Sequence, residues 1–113
     1  MIVKKQKKGQ IAKLLKKNKK SIIFVCKRNL ASRILIKPIL KDLQFKYKEK
    51  IFFYEKKKIS TKFQEQYAIH RYPTFLFFNK GVLVDKLEGF VNRRKLFSHV
   101  QKFMKDQPIK QKV

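Results

Sequence analysis

Acidic residues are scarce in this chain: 7 Asp and Glu stand against 31 Lys and Arg, a formal net charge of +24 over 113 residues. A domain with so few carboxylates repels itself, which helps solubility and opposes compaction unless a polyanion is near. Cysteine is rarer still. Cys26 alone excludes an internal disulfide framework and leaves no thiol pair for exchange chemistry. Three glycines leave no glycine-rich loop to cradle a phosphate. No apolar run approaches the roughly 18 residues of a membrane span. His70 and His99 have no acid or thiol at ligand spacing, so no metal and no cofactor are expected, and nothing resembles a Ser/His/Asp constellation.

What is present is enough to fold. Hydrophobic residues make up 43% of the chain, with 11 Phe and 4 Tyr, a richness that disordered chains lack. The length supports one compact domain. Of the 31 basic residues 26 are Lys, which fits an AT-biased coding sequence. That bias does not account for the missing carboxylates. The charge points first to RNA or DNA, where each neutralised phosphate releases counterions; a membrane surface and an acidic protein are the competing partners. The lysine-rich N-terminal stretch has neither the Arg- and Ser-rich pattern of a mitochondrial transit peptide nor the apolar core of a secretory signal.

Hydrophobic spacing predicts the elements. Ile11, Leu14 and Leu15 suggest a short basic helix from about Gly9 to Asn18 behind a basic arm. Ser21–Val25 reads as a buried strand. Leu35, Ile36, Ile39, Leu40 and Leu43 predict an amphipathic helix from about Ala31 to Tyr47, kinked at Pro38. Ile51–Tyr54 is a second strand. Ser60, with Thr61 competing, caps a helix whose inner face is Phe63 and Tyr67. Thr74–Phe78 is apolar on both faces and therefore central. Asn79-Lys80-Gly81 turns into a fourth strand, Val82–Leu87, which Gly89 ends. Asn92 opens a last helix with Leu96, Val100 and Phe103 on one face, and Pro108 closes regular structure.

From Ser21 to Met104 the chain resembles the thioredoxin family. The resemblance is carried by Ile36-Lys37-Pro38-Ile39-Leu40, by Tyr67 to Phe75 with Pro73 in its loop, by the Phe77 to Val82 hairpin, and by Leu87-Glu88-Gly89-Phe90 with Leu96. It implies an α/β fold with a central four-stranded mixed sheet flanked by helices on both faces, and a cis bond before Pro73. The implied organisation is a basic N-terminal arm and helix over 1–20, a thioredoxin-like domain over 21–105 and a basic tail over 106–113. The family's C-x-x-C cysteines fall on Leu30 and Arg33, its buried acid on Phe24 and its preceding Trp on Asn29. No catalytic residue is therefore expected. For Cys26 two readings stand: a monothiol with a pKa lowered by Lys27 and Arg28, or a buried strand-end cysteine acting as a small apolar residue.

The expected nucleic-acid surface has two main parts. The arm and first helix contribute Lys4, Lys5, Lys7, Lys8, Lys13, Lys16, Lys17 and Lys20; the loop beside the long helix contributes Lys27, Arg28 and Arg33, with Arg71 from the Pro73 loop. A helix N-terminus beside such cations suits a phosphate. A third set, Lys56, Lys57, Lys58, Arg93, Arg94 and Lys95, reads equally as contact or as solvated charge. Tyr72 can stack on a base or cover the core. The expectation is a non-catalytic protein contacting RNA and neighbouring proteins in a large ribonucleoprotein: a mitochondrial, organelle-encoded ribosomal protein, with a cytoplasmic location as the alternative. The rival is a redox-inactive thioredoxin-like subunit or adaptor on an acidic protein or membrane complex.

Overall fold

The computed structural model describes residues 20–26, 31–89 and 92–105. The expected helix over Gly9–Asn18 and the tail from Asp106 lie outside the described residues. Within them the order is β1 (Lys20–Val25), α1 (Ser32–Lys46), β2 (Phe52–Lys56), α2 (Thr61–Gln66), β3 (Thr74–Asn79), β4 (Val82–Glu88) and α3 (Arg93–Met104). The strands form one mixed sheet in the order β2-β1-β3-β4, with β1 and β2 parallel and the other two pairs antiparallel.

The central strands are buried on both faces. Phe77 packs edge-on against Phe103 of α3 at 5.2 Å, while its neighbour Phe78 meets Tyr67, just after α2, at 5.7 Å on the opposite face. The period-2 alternation of a strand produces this split. Helix α1 shares the face of α3: Arg93 pairs with Asp42, and the Lys46 ammonium lies over the Phe97 ring. Helices thus cover both faces of the sheet, as the resemblance implies.

Caps and turns follow local chemistry. Ser60 Oγ accepts the Phe63 amide at 3.0 Å, so serine rather than Thr61 caps α2. Asn92 caps α3 by accepting the Lys95 amide at 2.8 Å. Lys80 and Gly81 both adopt positive φ, the requirement of a two-residue hairpin turn whose twist matches its strands. A bulge opposite Phe77 and Phe78 distorts β4, whose Val82, Leu83 and Val84 stay exposed at the sheet edge.

Three expectations change. Strand β2 continues past Tyr54 to Lys56, because parallel pairing with β1 runs on through Val25 opposite Lys56 and carries the polar Glu55 into the sheet. Leu35 is not on the inner face of α1. The buried stripe is Ile36, Ile39, Leu40, Leu43 and the following Tyr47, and at about 100° per residue Leu35 falls beyond its margin, 62% exposed. Finally, β1 begins at Lys20, not Ser21. Its Nζ donates to the carbonyls of Phe103 and Met104, at 3.2 and 3.3 Å, neutralising the last turn of α3. Pro38 sits within α1 on its exposed side, where the carbonyl deprived of its amide partner can reach water.

Leu96→Ala, which empties a fully buried site, is expected to cost about 2–5 kcal/mol. Leu35→Ala is expected to stay within about 0.5 kcal/mol. Urea unfolding midpoints at constant slope check both.

Candidate functional site

The strand ends near the first turn of α1 form the candidate site. The resemblance puts the family's two cysteines at Leu30 and Arg33; Leu30 and Asn29 lie outside the described residues. In the sheet, Phe24 of β1 stands opposite Glu55 of β2, so both side chains point to the face that α1 covers. Arg33, in the first turn of α1, donates from Nε to Glu55 Oε2 at 3.0 Å, and its Nη2 contacts the same oxygen. The side chains are 17% and 7% exposed. A position that the family gives to sulfur is thus held by a largely buried, charge-assisted ion pair. Removing one member of such a pair leaves the other charge desolvated, which is the larger part of its energetic weight.

Cys26 lies beside this pair, fully buried, with its amide donating to Lys56 O at 3.2 Å. Burial pushes its thiol pKa up; Arg33 opposes this and Glu55 reinforces it. The group is therefore held in the protonated form, the poor nucleophile. The monothiol reading needed lowering by Lys27 and Arg28, which lie outside the described residues.

Facing loops complete the region. The Tyr72–Pro73 bond is cis, and Gly89, at φ +85°, donates its amide to Pro73 O at 2.8 Å. The exposed Arg71 guanidinium lies over Gly89, where an added Cβ would stand 3.6 Å from its carbon. Tyr72 donates its hydroxyl to Gln64 at 2.9 Å and is half-buried, closing the loop against α2. Arg33 and Arg71 therefore have separate partners: the first is tied to Glu55, the second rests on a glycine and is open to solvent. Lys20 serves the end of α3. Lys4, Lys5, Lys7, Lys8, Lys13, Lys16, Lys17, Lys27 and Arg28 lie outside the described residues.

A second basic feature was less legible. Asn92, Arg94, Lys95, Ser98, His99 and Lys102 line an open depression of about 540 Å³ on α3. Arg94, Ser98 and Lys102 repeat every four residues and so form one ridge. Arg94 and Lys95 belong to the third basic set; Ser98 and Lys102 were missed, although that spacing was in the sequence. His99, expected without an acidic partner, meets Asp85 of β4 through Nε2 and lies 5.2 Å from the Phe77 ring. The antiparallel pairing of β3 with β4 brings that acid across. Among the described residues, no group of three His, Cys, Asp or Glu could hold a metal, and no helix is long and apolar enough to cross a membrane.

Comparison with known proteins gives a consistent picture. The Thioredoxin family profile matches residues 26–102. Mitochondrial thioredoxin 3 from Saccharomyces cerevisiae in its oxidised form superposes with a TM-score of 0.78 at 20% identity, over 88% of this chain and 94% of that one. The oxidised thioredoxin from Plasmodium falciparum gives 0.76 at 20% identity, over 90% and 98%. Thioredoxin O2 from Arabidopsis thaliana gives 0.68 at 20% identity, over 83% and 86%. At such identities the likeness is one of fold. None of the curated protein sequences compared with the chain matches it.

Glu55→Gln is expected to lower stability by about 3 kcal/mol by stranding Arg33, whereas replacing both partners with apolar residues (Arg33→Met with Glu55→Leu) should recover most of that. Urea unfolding of the three chains decides. The raised Cys26 pKa also fixes a pH trend: the folded state holds its proton more tightly, so stability is complete below the ordinary thiol value and falls as pH rises through it. Midpoints measured from about pH 7 to about pH 9.5 should decline, and Cys26→Ala should flatten that decline.

Proposed function

This chain belongs to the thioredoxin family, and on that scaffold we propose that it is a non-catalytic, RNA-contacting component of a large ribonucleoprotein, working in the mitochondrion as part of its ribosome. The observation that carries the reading is a substitution of chemistry in the candidate site. Leu30 and Arg33 stand where a dithiol would act, Arg33 is bound to Glu55, and Cys26 is buried and protonated. Thiol exchange needs an accessible thiolate and a resolving thiol.

What the chain has instead is positive charge. Arg71 and the Arg94, Lys95 and Lys102 side chains are exposed, and residues 1 to 20 add nine lysines without an acid. Cations distributed in this way grip phosphates and orient a protein without reading bases. The ribosomal setting is supported by the lysine content and the lysine-rich residues 1 to 20; the mitochondrial setting is supported by a Lys- and Phe-rich composition that fits an AT-biased coding sequence.

The purified chain is expected to bind generic RNA with a log–log salt slope of at least about −3, each neutralised phosphate contributing roughly −0.7 to −0.9. Charge reversal at Lys16 and Lys17 should weaken binding alike for all sequences and flatten the slope by about 1 for each phosphate no longer gripped. A tagged copy should sediment with ribosomal particles through a gradient. A flat slope together with tight binding to an acidic protein or an anionic membrane would favour the adaptor reading instead.

A further inference from the structure

The solvent-facing side of α1 presents a feature that neither the core nor the candidate site uses. Phe45 is 80% exposed and points directly away from the buried stripe, two residues beyond Leu43. Its ring makes no aromatic contact among the described residues, unlike Phe63, Phe77 and Phe97, which all pack on neighbours. At 100° per residue Lys41 lies one turn below it on the same side, about 6 Å away, Lys37 lies a further turn below and about 80° round the helix, and Lys48 stands just past the C-terminal cap Tyr47. All three lysines are exposed and make no ion pair among the described residues. Of the nearby acids, Asp42 is already taken by Arg93, and the exposed Glu49 follows Lys48 beyond the helix end.

We propose that Phe45 with Lys37, Lys41 and Lys48 forms a contact for single-stranded RNA, in which one unpaired base stacks on the Phe45 ring and the flanking phosphates sit on the lysines. The proposal rests on the RNA reading above and deepens it, from general phosphate attraction to a preference for unpaired nucleotides. A bare aromatic ring bordered by ammonium groups matches the two faces of a nucleotide, one π-stacking and one anionic. A duplex cannot offer a free base face to a ring standing on a helix. A bilayer fits less well: it needs a continuous apolar strip, whereas below Phe45 the line meets Lys41 before the exposed Pro38, about 10 Å away, and Ile34, about 16 Å away, and Lys37 borders it.

The test uses the full chain and three fluorescently labelled probes of about twelve nucleotides: a single strand, the same strand as a duplex, and an abasic strand that keeps the phosphates and lacks the bases. The parent should bind the single strand about 5- to 150-fold more tightly than the abasic one, the range of a single stacked base. Phe45→Ala should abolish that preference and leave abasic affinity unchanged; Phe45→Trp should keep it. Lys41→Glu should weaken all three probes. Phe45 is exposed, so circular dichroism and the urea midpoint should match the parent. If Phe45→Ala retains the single-strand preference, the stacking contact is overturned while the RNA reading stands. If the parent binds none of the probes, both fall. Phe45-dependent partition into anionic vesicles, or Phe45-dependent dimerisation in sedimentation, without the single-strand preference also overturns the stacking contact.

Discussion

Strands β1 and β3 must have both faces covered, and the rest of the architecture answers to that demand. Their backbones pair with each other at the centre of the sheet, and their side chains, Ile22 to Val25 and Phe75 to Phe78, are excluded from water on either side. One layer of helices would leave half of this apolar surface wet, at about 25 cal/mol for each Å² exposed. Helices α1 and α3 on one face and α2 with Tyr67 on the other meet the requirement. The edge strands are less constrained: β4 leaves three aliphatic residues in solvent and accepts a bulge.

The candidate site follows from the same geometry. Parallel pairing of β1 with β2 places Cys26 and Glu55 at neighbouring strand ends, and the start of α1 drops Arg33 onto them. In a site built for thiol exchange that corner would need a thiolate open to a partner. Here it is closed by an ion pair, with the chain's one thiol buried beside it. The fold is that of the family, the corner is closed by the Arg33–Glu55 pair, and exposed cations stand on the outer helix faces.

Much of this was readable from residues alone, and the failures share a cause. Long apolar patterns such as Phe75 to Phe78, and strong caps such as Ser60 and Asn92, declare themselves locally. So did the hairpin at Lys80-Gly81. Glu55 was invisible as a site residue because it follows an apolar run whose last member is Tyr54; only the ladder with β1 shows that the strand continues. Leu35 was misplaced because two adjacent aliphatics at a helix margin cannot be ordered without knowing the direction of the sheet. Phe45 hid for the opposite reason. Among so many core phenylalanines, one facing outward carries no local mark, and its position opposite Leu43 matters only once Leu43 is known to be buried. Asp85 and His99 are 14 residues apart, and only the folding of β4 against α3 makes them neighbours.

The rarity of carboxylates gives them an unusual role. Asp42 ties α1 to α3, Glu55 ties β2 to α1, Asp85 ties β4 to α3, and Glu88 accepts from the His70 backbone while pairing with Lys86. Each of these acids therefore acts as a rivet between parts of the chain, whereas most lysines are interchangeable with their neighbours in the field they create. Substitution tolerance should thus be narrow at the largely buried Glu55, Asp85 and Glu88, whereas the sequence can drift widely among its many exposed lysines.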